Sequence, residues 1–294
     1  MHRFFVLIVL MAGVPSAVQA CANTEWPRES LLKLKADGFS IPENADRQRM
    51  VDQLTVCLTS PDPVLRDGIG YEGLSALLRK NALNPEQLRN LRTRLYAQLT
   101  AEDVDGVSRP FAALVLSEVA RTDRIEPWMS AAERGEMLAI AIRYMQSVRD
   151  YRGFDPIIGW RHGVAHAADW LMQLALNAQL DTAQLRELTD AVASQIKAAD
   201  GHAYVFGEPG RLARPVLFAA KRGIRTKDEW QVWLGNLVIG LGDPALAYKD
   251  LNWLYARHNV SGFLDTLYLE SDLSGDESLK PLNAAVVNTL KTMP

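Results

Sequence analysis

With 294 residues, 48% of them hydrophobic, and a formal charge of −3 at pH 7, the chain can bury a large core but has no basic excess. That balance argues against nucleic acid as a partner, because phosphate recognition draws on a surplus of Lys and Arg. No internal apolar run reaches the ~20 residues of a membrane-spanning helix.

The first twenty residues read as an export signal. Met1-His2-Arg3 is a short basic start, Phe4 to Val14 is apolar, Pro15 breaks the run, and Val18-Gln19-Ala20 has the small-x-small pattern of a cleavage site. Cleavage there leaves residues 21–294 as a single all-helical domain in a periplasmic setting. Val18-Gln19-Ala20-Cys21 is also close to a lipobox, which would place a lipid anchor on Cys21; Gln19 and the missing Leu favour soluble export. The one other cysteine is Cys57. In an oxidising compartment Cys21 and Cys57 are expected to pair, and acylation of Cys21 would exclude that bond.

Beyond the signal, apolar residues recur at helical spacing, and strand alternation is absent. Asp62 ahead of Pro63 marks a helix start, and Asn84-Pro85-Glu86 opens a helix to about Leu99. Ser108-Arg109-Pro110 precedes a helix over Phe111–Thr122, and Ser130 caps one over Ala131–Val148. Asp181-Thr182 introduces a helix to about Lys197, Thr226 one to Ile239, and Asp243-Pro244 one to Arg257. Linkers are short, as between antiparallel neighbours, with longer breaks at Asp150–Gly159 and Asp200–Gly210. Helix pairs recurring every ~35–45 residues fit an all-α solenoid, a superhelical array of the HEAT or armadillo kind. The alternative architecture is an α/α-toroid. Gly68-Ile-Gly-Tyr-Glu-Gly73 matches G-x-G-x-x-G in form only, since no strand precedes it; its glycines are expected to serve close helix packing. Asp272 to Glu277 has calcium-loop composition without the spacing, and reads as a capping turn.

Chemistry-bearing residues concentrate between Asp150 and Asn177. His162, His166, Asp169 and Gln173 stand at helical offsets that place them within a ~60° arc. Val164, Ala167, Ala168, Leu171 and Leu174 hold the opposite face, and Asp150, Arg152 and Asp155 lie in the loop ahead. His162 and His166, four apart, could share a metal ion with Asp169 as third ligand. Further ligands would have to come from His202, Glu208, Asp150 or Asp155, and Gly163 stands where H-E-x-x-H has its general base. Without metal, a His–Asp pair suits acid–base catalysis. The same residues could equally form a buried network that locks helix register. Arg152, Arg161 and Arg211 admit either an Arg–carboxylate network, Arg211 with Glu208, or an anion subsite. Among the seven Trp, Trp160 and Trp170 flank the His stripe; Trp170, Trp230, Trp233 and Trp253 read as core.

Four stretches carry a resemblance: DPVLRDGIGY (62–71), RPFAALVLS (109–117), DYRGFDPIIGWRHGVAHAADWL (150–171) and Gly207-Glu-x-x-Arg-Leu-Ala213. Together they resemble the bacterial family called domain of unknown function 2785, over roughly Leu31 to Asn259. The resemblance implies an all-helical fold and a distinctive site at Asp150, Arg152, Gly153, Gly159, Trp160, His162, His166, Asp169, Glu208 and Arg211. Pro110 departs from the Ser the family carries there. No activity, substrate or cofactor is implied. The expectation is a binding or scaffold module with a polar groove of Asp150, Arg152, Asp155, Trp160, His162, His166, Asp169, Gln173, Glu208 and Arg211, taking a peptide, a protein segment or an envelope glycan. A hydrolase, metal-dependent or acid–base, is the alternative.

Overall fold

Polar caps set about half of the helix starts. In the computed structural model, which describes residues 20–40 and 44–294, Asn84, Ser130, Asp181 and Thr226 each form a reciprocal capping box with the Gln or Glu three residues on. They open α5 (Pro85–Thr100), α7 (Ala131–Ser147), α9 (Thr182–Ile196) and α11 (Lys227–Ile239). Ahead of these lie α1 (Arg28–Ala36), α2 (Asn44–Cys57) and α3 (Pro63–Leu65), which runs through a π-helical turn (Arg66–Tyr71) into α4 (Glu72–Arg79). Between and after them come α6 (Ser108–Ile125), α8 (Gly163–Ala175), α10 (Glu208–Ala220), α12 (Leu251–Leu273) and α13 (Lys280–Thr292). The export signal expected over residues 1–20 lies, but for Ala20, outside the described residues.

Among the described residues the fold is all-α apart from one small hairpin, β1 (Phe154–Asp155) with β2 (Gly159–Trp160), antiparallel and pairing Phe154 with Trp160. This hairpin sits in a break expected to be loop. Helix α6 starts three residues early because Asp103 accepts from the N–H groups of Val107, Ser108 and Arg109. The helix expected from Pro244 to Arg257 is two elements. Asp243 caps only a 3₁₀ turn (Pro244–Tyr248), none of it buried, and Asp250 then caps α12, which continues to Leu273. Without a buried face the first segment has no packing that would extend it.

Helices α4, α6, α8, α10 and α12 follow one another side by side, while α2 packs on α5, α7 on α9 and α11 on α13. An arginine clamp recurs where a helix of the second set meets the next cap. Arg47 Nη1 donates to the Ala82 carbonyl (2.8 Å), Arg89 Nη2 to that of Trp128 (3.2 Å), and Arg186 Nε to that of Ile224 (2.7 Å), each two residues before an N-cap. Arg89 and Arg186 also pair with Glu133 and Glu229 of the capping boxes. At Gly70 a Cβ would lie 3.0 Å from the Leu54 carbonyl oxygen, and at Gly73 2.9 Å from the Leu54 and Phe39 side chains. These glycines serve close packing, as expected. Trp170, Trp230 and Trp253 are core, Trp233 is half-buried, and Asp276 caps a 3₁₀ turn (Glu277–Leu279).

Cys21 and Cys57 form a disulfide that uses the sulfur a lipid anchor would need. Both side chains are fully buried. Among the described residues no helix is long and apolar enough to cross a membrane. Closing a loop with a sequence separation of 36 residues contributes about 3–4 kcal/mol through the unfolded chain. A Cys21→Ala/Cys57→Ala variant should lose about that much in urea unfolding, and a reductant should lower wild-type stability while leaving the variant unchanged.

Candidate functional site

Helix α8 begins one residue later than the His stripe requires. Arg161 N–H still pairs with the Gly153 carbonyl (2.9 Å), so the chain leaves the hairpin only at His162, which takes the left-handed conformation (φ 55°, ψ 40°) as N-cap. Its side chain is thereby turned out of the helical stripe and lies flat on Trp160, ring centroids 4.2 Å apart at 7°. The His162 and His166 rings stand 5.8 Å apart.

The rest of the stripe grips neighbouring helices. His166 Nδ1–H donates to the Pro110 carbonyl on α6 (3.1 Å), a pairing that fixes the tautomer, and its ring meets Phe111 edge-on at 5.3 Å. Asp169 receives both arms of the Arg211 fork from α10, Nε at 2.9 Å and Nη2 beside it. Gln173 accepts from Arg124 Nε of α6 at 3.1 Å.

Burial governs the electrostatics. It pushes the His166 pKa down to about 3, with the positive neighbours His162 and Arg211 adding to the effect. Burial, with Arg211 again adding, takes His162 to about 4. Both imidazoles are therefore neutral at pH 7. Asp169 moves up, because burial outweighs the attraction of Arg211.

The loop residues are held as firmly. Asp150 binds Arg152 through Nε (2.8 Å) and Nη2 (2.6 Å), and the pair rests on Gly106 (φ +70°), where a Cβ would overlap both side chains. Burial pushes the Asp150 carboxyl up, but the bonds from Arg152 outweigh it and leave it below its ordinary range. Buried Arg161 donates to the Asp105 carbonyl, and fully buried Arg66, from the π-helical turn, donates to that of Ile158 at 2.8 Å. Asp155 accepts from Ile157 N and Ile158 N at the hairpin tip, and buried Glu208 from Phe206 N ahead of α10. Glu208 therefore serves its own loop, and the carboxylate partner of Arg211 is Asp169 instead.

Asp150, Arg152, His162 and Glu208 are thus brought together, with His166 and the Asp169–Arg211 pair deeper along α8 and Gln173 beyond. Asp150, Arg152, His162 and Glu208 pack closely enough to leave no water-sized cavity among them, while Asp150 and Arg152 stay open to solvent on their outer side. The metal set His162, His166 and Asp169 is not assembled either. His166 is committed to Pro110, Asp169 to Arg211, and His202 stacks on Tyr151 at 5.3 Å. Among the described residues no three His, Cys, Asp or Glu side chains are grouped to hold a metal ion.

What faces outward is aromatic. Trp160 (39% exposed) has Phe154 (50%) at 5.0 Å and Phe206 (38%) edge-on at 5.6 Å, with Ile157 at 85% on the hairpin tip. Phe206 lies directly on the Gly153 backbone, where any Cβ would overlap its ring. The sequence reading missed Phe154 and Phe206. A signal existed for Phe154: Asp155-Pro156-Ile-Ile-Gly159 is turn chemistry, and a hairpin there pairs Phe154 with Trp160. Nothing local marked Arg66 as the residue that reaches Ile158.

Fold and site define an all-α protein whose buried His/Asp/Arg network supports an exposed aromatic hairpin. The family described as Protein of unknown function (DUF2785) matches residues 95–269, and the chain belongs to it. The match leaves Asp62–Tyr71 outside, starts well after Leu31, and runs ten residues past Asn259. No curated protein and no solved structure matches the chain.

The neutral imidazoles have a consequence for acid stability. A histidine in the unfolded chain takes up its proton near pH 6.5, whereas folded His162 and His166 do so only near 4 and 3. The unfolded state therefore binds more protons in that window, and stability falls as pH drops through it. The raised Asp169 acts in the opposite sense. His166 alone should remove about 2 kcal/mol of unfolding free energy between pH 7 and 5. Urea titrations at both pH values should show that loss in wild type and clearly less of it in His166→Asn; equal losses would contradict a neutral buried imidazole.

Proposed function

We propose that this protein is an exported binding module that holds an apolar protein segment against the aromatic surface of its hairpin. The observation that carries this reading is the joint exposure of Phe154, Ile157, Trp160 and Phe206 on two adjoining loops. Contiguous apolar side chains left in water mark interaction sites, and Trp anchors with satisfied surroundings are frequent hot spots. Trp160 is preorganised by His162 beneath it, and the hairpin by Arg66 and Arg161, so little ordering is left to oppose binding.

The arrangement disfavours the rival readings. A glycan would call for free hydrogen-bonding groups around an open ring face, whereas Asp150 and Arg152 pair with each other and one face of Trp160 lies on His162. A hydrolase would call for a base near the working pH, and imidazoles held at about 4 and 3 are weak ones. The side-by-side series α4, α6, α8, α10 and α12, with α13 packed on α11 and α12, supports an open superhelical array over a toroid.

A peptide-display selection against the full chain, counter-selected with Trp160→Ala, tests the reading. Enriched peptides should carry aromatic or aliphatic anchors and bind Trp160→Ala about thirtyfold more weakly, at unchanged melting temperature. No enrichment over the variant would defeat the proposal, and cleavage of the bound peptide, seen by mass spectrometry, would revive the hydrolase.

A further inference from the structure

We propose a second recognition site on the face shared by α6, α8, α10 and α12: a groove that takes an acidic peptide segment with one apolar anchor side chain. It does not depend on the aromatic surface. Along α10, Arg211, Arg214, Phe218 and Lys221 fall on one stripe, and on α6 Arg121 and Arg124 are one turn apart. Arg211 is neutralised by Asp169, and Lys221 by Asp276 at 3.1 Å. Among the described residues Arg121, Arg124 and Arg214 have no carboxylate within salt-bridge distance; Arg124 has only the amide oxygen of Gln173. Burial holds the Arg124 pKa below its usual value, and the neighbouring charge of Arg121 adds to this. Like charges are thus gathered on two half-buried positions, Arg121 and Arg124, and an exposed one, Arg214, which feels Asp169 only at a distance.

Beside them opens a cleft of about 320 Å³, with Met172, Leu217, Phe218 and Leu279 as its apolar lining and Arg214 and Lys221 among its charged residues. Met172 adjoins Gln173, the partner of Arg124, so the Arg124 guanidinium and the apolar cleft meet along α8, and Arg214 lines the cleft itself. The volume lies at the low end of ligand sites and suits a single Leu- or Phe-sized side chain. Carboxylates of an incoming segment would balance the free guanidinium groups, a strong pairing when partly desolvated. The pattern favours peptide over nucleic acid, because Glu118, Asp169 and Glu270 are interleaved with the arginines and would repel an evenly charged phosphate backbone.

Fluorescence anisotropy of the full chain tests this, with a fluorescein-labelled peptide of Asp and Glu around a central Phe as probe. Binding should saturate and weaken as salt is raised. It should fall about tenfold or more in Arg121→Glu/Arg214→Glu at unchanged melting temperature. Arg214→Gln, at an exposed position, should move the same way to a smaller extent, which keeps the test open if the double variant unfolds. Trp160→Ala should bind the probe like wild type. The proposal is overturned by absent or unsaturable binding, by equal affinity for a peptide with Lys in place of the acids or Ser in place of Phe, by indifference to the Arg substitutions, by loss in Trp160→Ala, or by tighter binding of single-stranded oligothymidylate.

Discussion

Helix α8 is buried along nearly its whole length between α6, α7 and α10, and that burial constrains everything around it. A polar side chain on such a helix must find its partner on a neighbour or leave a buried group unsatisfied, at a cost of about 1–3 kcal/mol for a neutral one and more for a charge. His166 meets this through a backbone carbonyl of α6, Asp169 through the fork of Arg211, and Gln173 through Arg124. These pairings fix the helix against both sides at three heights. A buried ion pair such as Asp169–Arg211 adds little net stability over an apolar pair, but its geometry admits few registers.

The hairpin depends on the same frame from outside. It is only two residues deep on each strand, too short to be stable alone. Arg66 reaches it from the π-helical turn, and Arg161 ties its second strand to the loop before α6. Arg66 also lies over Phe111, whose edge meets His166, so the hairpin and the α8 network share a wall. The extra residue of a π turn swings side chains out of the regular helical rows, and here it falls where Arg66 enters the core.

Much of the fold was legible because caps are local chemistry. Asn84, Ser130, Asp181 and Thr226 each announce a helix through a side chain that satisfies a backbone N–H three residues away, and no tertiary information is needed. The start of α12 was misplaced for the converse reason: Asp243-Pro244 has the same local signal, but the segment after it buries nothing. The site was legible in its members and not in its arrangement. Periodicity put His162 on the stripe of His166 and Asp169, yet a hairpin hydrogen bond one residue earlier forces His162 into a left-handed cap. Partners that arrive from distant helices, Pro110, Arg124 and Arg66, left no trace at any spacing a sequence can display.

The distribution of charge then separates what holds the molecule together from what it offers outward. Asp169, Glu208, Asp150 and Asp155 are each engaged by a guanidinium or a backbone N–H, and the two imidazoles are kept neutral, so the conspicuous polar cluster is largely satisfied internally, with His162 Nδ1 left buried without a partner. A satisfied cluster has little free energy to gain from a ligand. The features with something to gain are those the cluster supports but does not satisfy: aromatic rings held in water at the hairpin, and guanidinium groups held beside an apolar cleft further along the helices. Recognition is therefore expected where desolvation or charge neutralisation is still incomplete, one step away from the residues that first draw the eye in the sequence.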